Sequence, residues 1–466
     1  MTLATVPRYA ADQASDVGDH AVVVGGSVAG LLAARVLADG FERVTVLERD
    51  ALPEEPATRR GVPQDSQPHA LQEAGRATIE DLLPSYGEEL VSAGGLVNDA
   101  ARDFNFYDEG GFLAEGPRRM PMYAASRPLI EGVLRRCVAR RPRVDLRPGH
   151  RCTDYLLDDR GTGVRGVMVR DDGGGKRELA SDLVVDATGR TSRTPTWLAD
   201  SGFPAPDVEE VQVDMAYSTL LVERPPEDRR TFWAPPSHPR TRGAGAAPIE
   251  GGYWQVILNG VHGDDPPTDV EGFERFLASL PFDDLATLFD QHPLASEEVH
   301  HYPFPSNRRY RYWDLGRFPG GLVVLGDAIA SYNPVYGQGI SVAALEALVL
   351  HHALAEGGLV DLPRRFFEAV RPVVDGAWRV SAGSDFQFPE TTGPRPRGVG
   401  VLQPYLSRLT RKARTDGRLR DALFRVFTME RPPRSLLRPG VAGRVLRPSV
   451  PGVRDRLPVP PGSRPH

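Results

Sequence analysis

Apolar residues run together at 21–24, break at a glycine turn, recur at helical spacing over 31–37 and run together again at 44–47. Short β-branched runs predict buried strands, and the 3.6-residue spacing between them predicts the crossover helix of a βαβ unit. A loop over 59–71 and a helix ending near Leu83 follow. Leu129, Val133, Leu134 and Val138 share one face of a predicted helix over 128–138. Strands are expected at 156–157 and 164–169, and the run DLVVDATGR at 182–190 reads as a strand that rejoins the first sheet. Between 211 and 303, segments such as VQVDMAYSTLLVE and GGYWQVILNGV, with one helix near 270–280, predict an antiparallel second domain. Helices to Leu354, over 364–381 and over 405–427 complete the pattern.

Composition narrows the class. No apolar run reaches the roughly 18 residues of a membrane span. Residues 1–19 are mixed polar sequence without the apolar segment of a secretory signal, so a loosely ordered leader and a cytoplasmic location are expected. Cys137 and Cys152 are too few for a disulfide framework, and the histidines lack HExxH-like spacing, so no metal site is expected. The net charge of −6 conceals a basic end, because residues 401–466 hold fifteen Lys and Arg against four Asp and Glu. A solvated helix pair followed by a Pro/Arg-rich tail accounts for this, with peripheral membrane or oligomer contact as the alternative. No aromatic platform accompanies the charge, and nucleic-acid binding is not expected.

Two glycine turns far apart carry the candidate chemistry. AVVVGGSVAG sets Gly25, Ser27 and Gly30 at the positions of a dinucleotide fingerprint, where backbone N–H groups at a helix start meet a pyrophosphate. Ser27 replaces the middle glycine, and Gly26 beside it leaves room. Glu48, followed by Arg49, ends the next strand; a carboxylate there suits ribose hydroxyls and repels a 2′-phosphate, which favours FAD or NAD over NADP. In VVLGDAIASYNPVYGQGIS, Gly326 and Asp327 end a strand where Asp327 can meet a ribitol hydroxyl. Pro334, Gly337, Gln338 and Gly339 form a bend suited to a flat ring, and the helix beginning there aims its positive end at the charge of a reduced flavin.

At these residues, over roughly 21–352, the chain resembles the flavoprotein monooxygenases of the p-hydroxybenzoate hydroxylase type. GGSVAG with Glu48 matches their first signature. DLVVDATGRTS corresponds to the second, with Thr188 in place of the aspartate before Gly189, which leaves that motif's nicotinamide role open. Gly326, Asp327, Pro334, Gly337, Gln338 and Gly339 match the third. ERDALPEEPATRRGVPQ, ASRPLIE, DATGRTS and GDAIASYNPVYGQGIS are similar to flavin-dependent epoxidases that act on linear polyenes in polyether biosynthesis.

The resemblance implies an α/β fold: a Rossmann-like FAD-binding domain of the glutathione-reductase type, with an inserted antiparallel-sheet substrate domain and C-terminal helices. The expected boundaries are a disordered leader (1–19), FAD-binding pieces at 20–104, 126–192 and 315–382, a substrate-domain hairpin at 105–125, and the substrate sheet at 193–314. A helical region (383–430) and a basic tail (431–466) follow. Arg60 and Gln64 are placed near the flavin and Arg127 near the dinucleotide, while His69 is either an acid–base group or a structural loop residue. The implied cofactor is FAD, with NAD(P)H as transient reductant. The implied reaction moves one oxygen atom of O2, through a flavin C4a-hydroperoxide, into a hydrophobic small molecule, with alkene epoxidation ahead of aromatic hydroxylation. No side chain is assigned as catalytic, since an epoxidase needs no base and the flavin carries the chemistry. Phe104, Phe106, Tyr217, Trp254 and Val256 are candidates to line a lipophilic pocket, with core packing as the alternative for most of them. YWQVIL lacks the WxWxIP of flavin halogenases, and neither Lys176 nor Lys412 has a halogenase context. A geranylgeranyl-reductase-like enzyme that saturates prenyl double bonds and a non-catalytic flavin-binding protein are the alternatives. The oligomeric state is not specified.

Overall fold

A computed structural model describes residues 1–448 apart from Ser15. Its centre is a five-stranded sheet in the order Leu322–Val324, Leu183–Asp186, Gly18–Val24, Phe41–Leu47, Val144–Arg147, with every neighbouring pair parallel. The strand of the DATGR motif thus lies beside the first strand, Val22 pairing with Val184. Alternation splits the apolar strand residues between two covers. Ala21, Val23 and Val185 pack against helices Val28–Gly40 and Gly339–Gly357, while Val22, Val24 and Val184 pack against Val164, Val167 and Val169 of a three-stranded antiparallel sheet. Cover on both faces is why these strands read as unbroken apolar runs. Helix Gly339–Gly357 is long and apolar enough to cross a membrane, yet it is packed inside the fold against Val28–Gly40, Glu73–Leu82 and Leu362–Asp385.

The second unit is an eight-stranded sheet in the order Ala330–Ser331, His300–Tyr310, Val208–Glu223, Tyr253–Val261, Arg242–Ile249, Thr231–Ala234, Phe104–Asp108, Gly111–Phe112. Neighbours are antiparallel except where Thr231–Ala234 runs parallel to Phe104–Asp108. Its edge strand, Ala330–Ser331, belongs to the second glycine motif and pairs with Arg309 and Arg308. The sheet of the substrate unit therefore continues by hydrogen bonds into the segment expected to hold the flavin.

Several sequence expectations are corrected. The leader is packed: Val6 and Ala14 are buried, Leu3 N donates to Met429 O, and Ala10 O accepts from His351. Its few apolar residues find a groove between distant elements, which local composition does not register. The 105–125 hairpin is two pairings, since Phe104–Asp108 turns into Gly111–Phe112 through Glu109 and Gly110, both at positive φ, whereas Pro121–Ala124 pairs with Leu96–Asp99. The helix expected near 270–280 is Val270–Ala278, and a second that was not expected, Asp284–Gln291, follows it. The 405–427 helix is two, Val399–Ala413 and Gly417–Phe427, and Asp416 caps the second by accepting from Arg418 N. The start of the basic tail is folded: Pro433–Leu437 and Pro439–Leu446 bury Leu436 and Val445 against Leu409, Leu419 and Leu423. The rest of that tail, from 449, lies outside the described residues.

Candidate functional site

The first glycine turn is crowded backbone. A Cβ on Gly30 would stand 1.8 Å from Gly25 O, and Gly25, at φ 109°, would put one 2.4 Å from Ala187 O. Gly26 N donates to Glu48 Oε2 at 2.8 Å, and Asp50 N donates to Glu48 Oε1 at 3.0 Å. Ser27, at the middle fingerprint position, donates to Glu131 at 2.7 Å and accepts from Arg127 Nη2 at 2.9 Å. Arg59 reaches both Glu131 and Glu48. Burial pushes the Glu131 carboxyl up, but Arg127 and Arg59 hold it below its ordinary range. Among the described residues Arg127 Nη1 is buried without a partner beside Ser27. A buried cationic donor left free at a helix start fits a pyrophosphate oxygen.

The other residues singled out differ in their surroundings. Arg60 and Arg49 are exposed, and the buried guanidinium is that of Arg59, one residue earlier. Gln64 is half-buried, with its carbonyl accepting from Gln67 N. Arg59 and Glu131 escaped the sequence reading because 72 residues separate them, beyond any local pattern.

The second turn meets the first. Gly326 has φ 70°, and a Cβ there would lie 2.8 Å from Ala29 Cβ on the first helix. Gly326 N donates to Glu346 Oε2 at 2.5 Å. Asp327 is half-buried, and among the described residues its carboxylate accepts no hydrogen bond. Burial raises that carboxyl to about 6, against the pull of Arg190 and Arg127. Arg190 comes from the DATGR motif, stacks on Phe304 and donates to Ser331 at 3.0 Å and Ser306 at 2.8 Å. In the same motif the fully buried Asp186 accepts from Thr188 N, Thr188 Oγ1, Ser192 and Thr194. Thr188 thus serves the turn that presents Gly189, which stands at φ 79° with open space beside it.

The bend at 334–337 is held from behind. Asn333 N donates to Asn307 Oδ1 and Ser381, Tyr217 donates to Asn333 Oδ1, and Asp385 accepts from Asn307, Asn333 and Tyr336. Gly337 closes the bend at φ 63°. Gln338 is buried with both amide atoms unpartnered, while Pro334 and Gly339 are exposed and a Cβ on Gly339 would meet nothing. Unpaired buried amide atoms beside open backbone at a helix start suit a flat heterocycle with its own donors and acceptors. These residues fit FAD.

Beside this bend lies a cavity of about 1000 Å³. His69 and Gln72 line its flavin end, Phe104, Phe106 and Trp233 its sheet wall, and helices from 399 onward its far side. Trp254 and Val256 face the other way, into the core beneath Val270–Ala278, and Tyr217 is spent on Asn333. They pack the protein rather than the cavity. Burial lowers His69 to about 3, and its Nδ1 lies 2.8 Å from Gln67 O, so it is a neutral loop residue and no general base near pH 7.

Glu346 was not foreseen. It is fully buried, and burial lifts it to about 8, so the native state holds a proton that the unfolded chain releases near 4.5. Stability from this group is present at low pH and lost as pH rises from about 4.5 through 8. Glu346→Gln keeps an acceptor for Gly326 N without the charge. Thermal midpoints of the apoprotein between pH 6 and 9 are expected to fall less steeply in this variant than in wild type; parallel slopes would show that Glu346 is not the group responsible.

The family described as FAD binding domain matches residues 19–357. A relative from Mycobacterium tuberculosis (strain ATCC 25618 / H37Rv), Protein Rv3254, is 34% identical over 428 residues, covering 88% of this chain and 90% of its own. The 6-methylpretetramide 4-monooxygenase of Streptomyces rimosus is 28% identical over 402 residues, covering 80% and 84%. Among solved structures, the flavin-dependent brominase Bmp2 superimposes with a TM-score of 0.63 at 16% identity, covering 88% of this chain and 94% of that one. At that identity the likeness is one of fold.

Proposed function

The chain belongs to the FAD binding domain family, and from this we propose that it is an FAD-dependent monooxygenase that adds one oxygen atom of O2 to a hydrophobic small molecule. The observation that carries the reading is the cavity of about 1000 Å³ set directly against the 334–337 bend. Bound FAD supplies the activation of oxygen, which no side chain here can perform. The chain's part is to hold and enclose. Arg127 and the N–H groups at the start of Val28–Gly40 take the pyrophosphate, Glu48 the adenosine ribose and Asp327 the ribitol. Gln338 and the start of Gly339–Gly357 face the ring, where the helix's positive end favours negative charge. The Asp385 network fixes the bend, and the aromatic wall of Phe104, Phe106 and Trp233 keeps water from the reacting carbon. With its pKa held low by burial, His69 is a weak base, which suits transfer to an electron-rich double bond. Alkene epoxidation is the reading that the sequence resemblance supports. Ring hydroxylation is the second, supported by the similarity to 6-methylpretetramide 4-monooxygenase. NADH or NADPH visits transiently as reductant.

The test begins with the visible spectrum of the purified protein, where absence of bindable FAD would end the proposal. With FAD present, turnover of candidate substrates under 18O2 with NADH or NADPH is expected to give a product heavier by one labelled oxygen. A product heavier by two hydrogens, formed without air, would make the protein a double-bond reductase instead.

A further inference from the structure

Three side chains on one wall of the cavity share a bonding pattern. Gln72 Nε2 lies 2.9 Å from Tyr336 O, Gln255 Nε2 lies 3.1 Å from Ser66 O, and His69 Nδ1 lies 2.8 Å from Gln67 O. A backbone carbonyl can only accept, so each contact identifies the facing nitrogen as a donor and fixes the orientation of the amide or the tautomer of the ring. What remains on each side chain is an acceptor: Gln72 Oε1, Gln255 Oε1 and His69 Nε2. Gln72 is 9% exposed and Gln255 4%, both line the cavity, and among the described residues both Oε1 atoms are buried without a partner. Gln67 next to them shows the contrast. It lies off the cavity and has both ends bonded, to His300 O and Thr219 Oγ1.

This wall adjoins the ring bend, since a Cβ on Gly337 would stand 3.1 Å from Gln72 Nε2 and 3.2 Å from Ala70 Cβ. Burial keeps His69 uncharged and therefore an acceptor at neutral pH. A plain hydrocarbon placed here would leave two or three acceptors without partners, which disfavours it. The remaining walls around Phe104, Phe106 and Trp233 are apolar.

We propose that the cavity selects a hydrophobic molecule bearing hydroxyl or N–H donors at its flavin-proximal end, and that Gln72, Gln255 and His69 accept those donors. What is recognised is the donor group and not the carbon skeleton, so a bare hydrocarbon is disfavoured. The inference rests on reading this cavity as the substrate site of the monooxygenase.

The test is calorimetric titration of the FAD-loaded enzyme, without reductant, with 9-phenanthrol and with 9-methoxyphenanthrene, which differ in the donor. The phenol is expected to bind at least about tenfold more tightly. In Gln72→Met and Gln255→Met combined, the ratio is expected to fall below about threefold with the ether's affinity held and FAD content unchanged. Equal binding of the two probes to wild type would overturn the proposal. So would a ratio that survives in the double variant, or loss of FAD from Gln72→Met, which would give that acceptor to the cofactor. If the double variant does not fold, the wild-type pair and Gln72→Met alone decide. Because no turnover is involved, a donor preference without oxygen incorporation would refute the monooxygenase and keep the site, and the reverse result would refute the site alone.

Discussion

Gly30→Ala is expected to purify without FAD and with a clearly lowered thermal midpoint. The new Cβ would stand 1.8 Å from Gly25 O and 3.0 Å from its carbonyl carbon. A methyl group has no rotamer by which to escape, so either the helix start or the turn must shift. The turn cannot yield cheaply, because Gly25 is itself pressed against Ala187 O of the neighbouring strand. Overpacking of this kind costs about 1–3 kcal/mol and here acts on backbone, so about 3 kcal/mol is expected. The same shift moves the N–H groups at the helix start, and FAD affinity should drop by about 100-fold or more, since misplacement by about 1 Å is enough for such a loss. FAD per chain after gel filtration and the apoprotein's melting curve check both; full occupancy with an unchanged midpoint would refute the close approach.

Asp327→Ala should separate binding from stability. Among the described residues its carboxylate finds no partner, and its pKa of about 6 means that ionisation is disfavoured in the folded chain. The native state binds more protons than the unfolded one between about 4 and 6, so this group's stabilisation is present at low pH and lost as pH rises through 6. Removing it should leave the apoprotein's midpoint at pH 8 equal or raised. Hydrogen bonds to a charged acceptor are worth about 1.5–3 kcal/mol, so FAD affinity should fall by roughly 10- to 100-fold. A variant that loses stability and keeps its affinity would reverse this assignment. A group that is costly to the empty fold and useful to the loaded one is the mark of a binding residue.

The tight turns at Gly25, Gly30 and Gly326 are legible in the sequence because close approach leaves few residue types to choose from. Arg59 and Arg60 show the limit. They are chemically identical neighbours on a loop, and only the fold decides which one turns inward toward Glu131. Glu346, Asp385 and Arg190 are charged residues within apolar or polar runs, and their partners arrive from other elements. The strand Tyr253–Val261 shows a subtler failure. Its alternation was plain, yet alternation does not say which face meets the cavity, and a one-residue change of register exchanges the two sets. Trp254 and Val256 went to the core, while Gln255 and Ile257 went to the cavity.

The cavity's far side is built by Leu402, Leu406, Phe424 and Phe427, on helices that lie beyond the 19–357 stretch shared with the FAD binding domain family. The residues assigned to the cofactor all fall within it. The cavity is thus shared between two parts of the chain: Gln72, Gln255, His69 and the aromatic wall lie within the family stretch, whereas the far side comes from the last hundred or so residues, so the length of the cavity is set separately from its polar end.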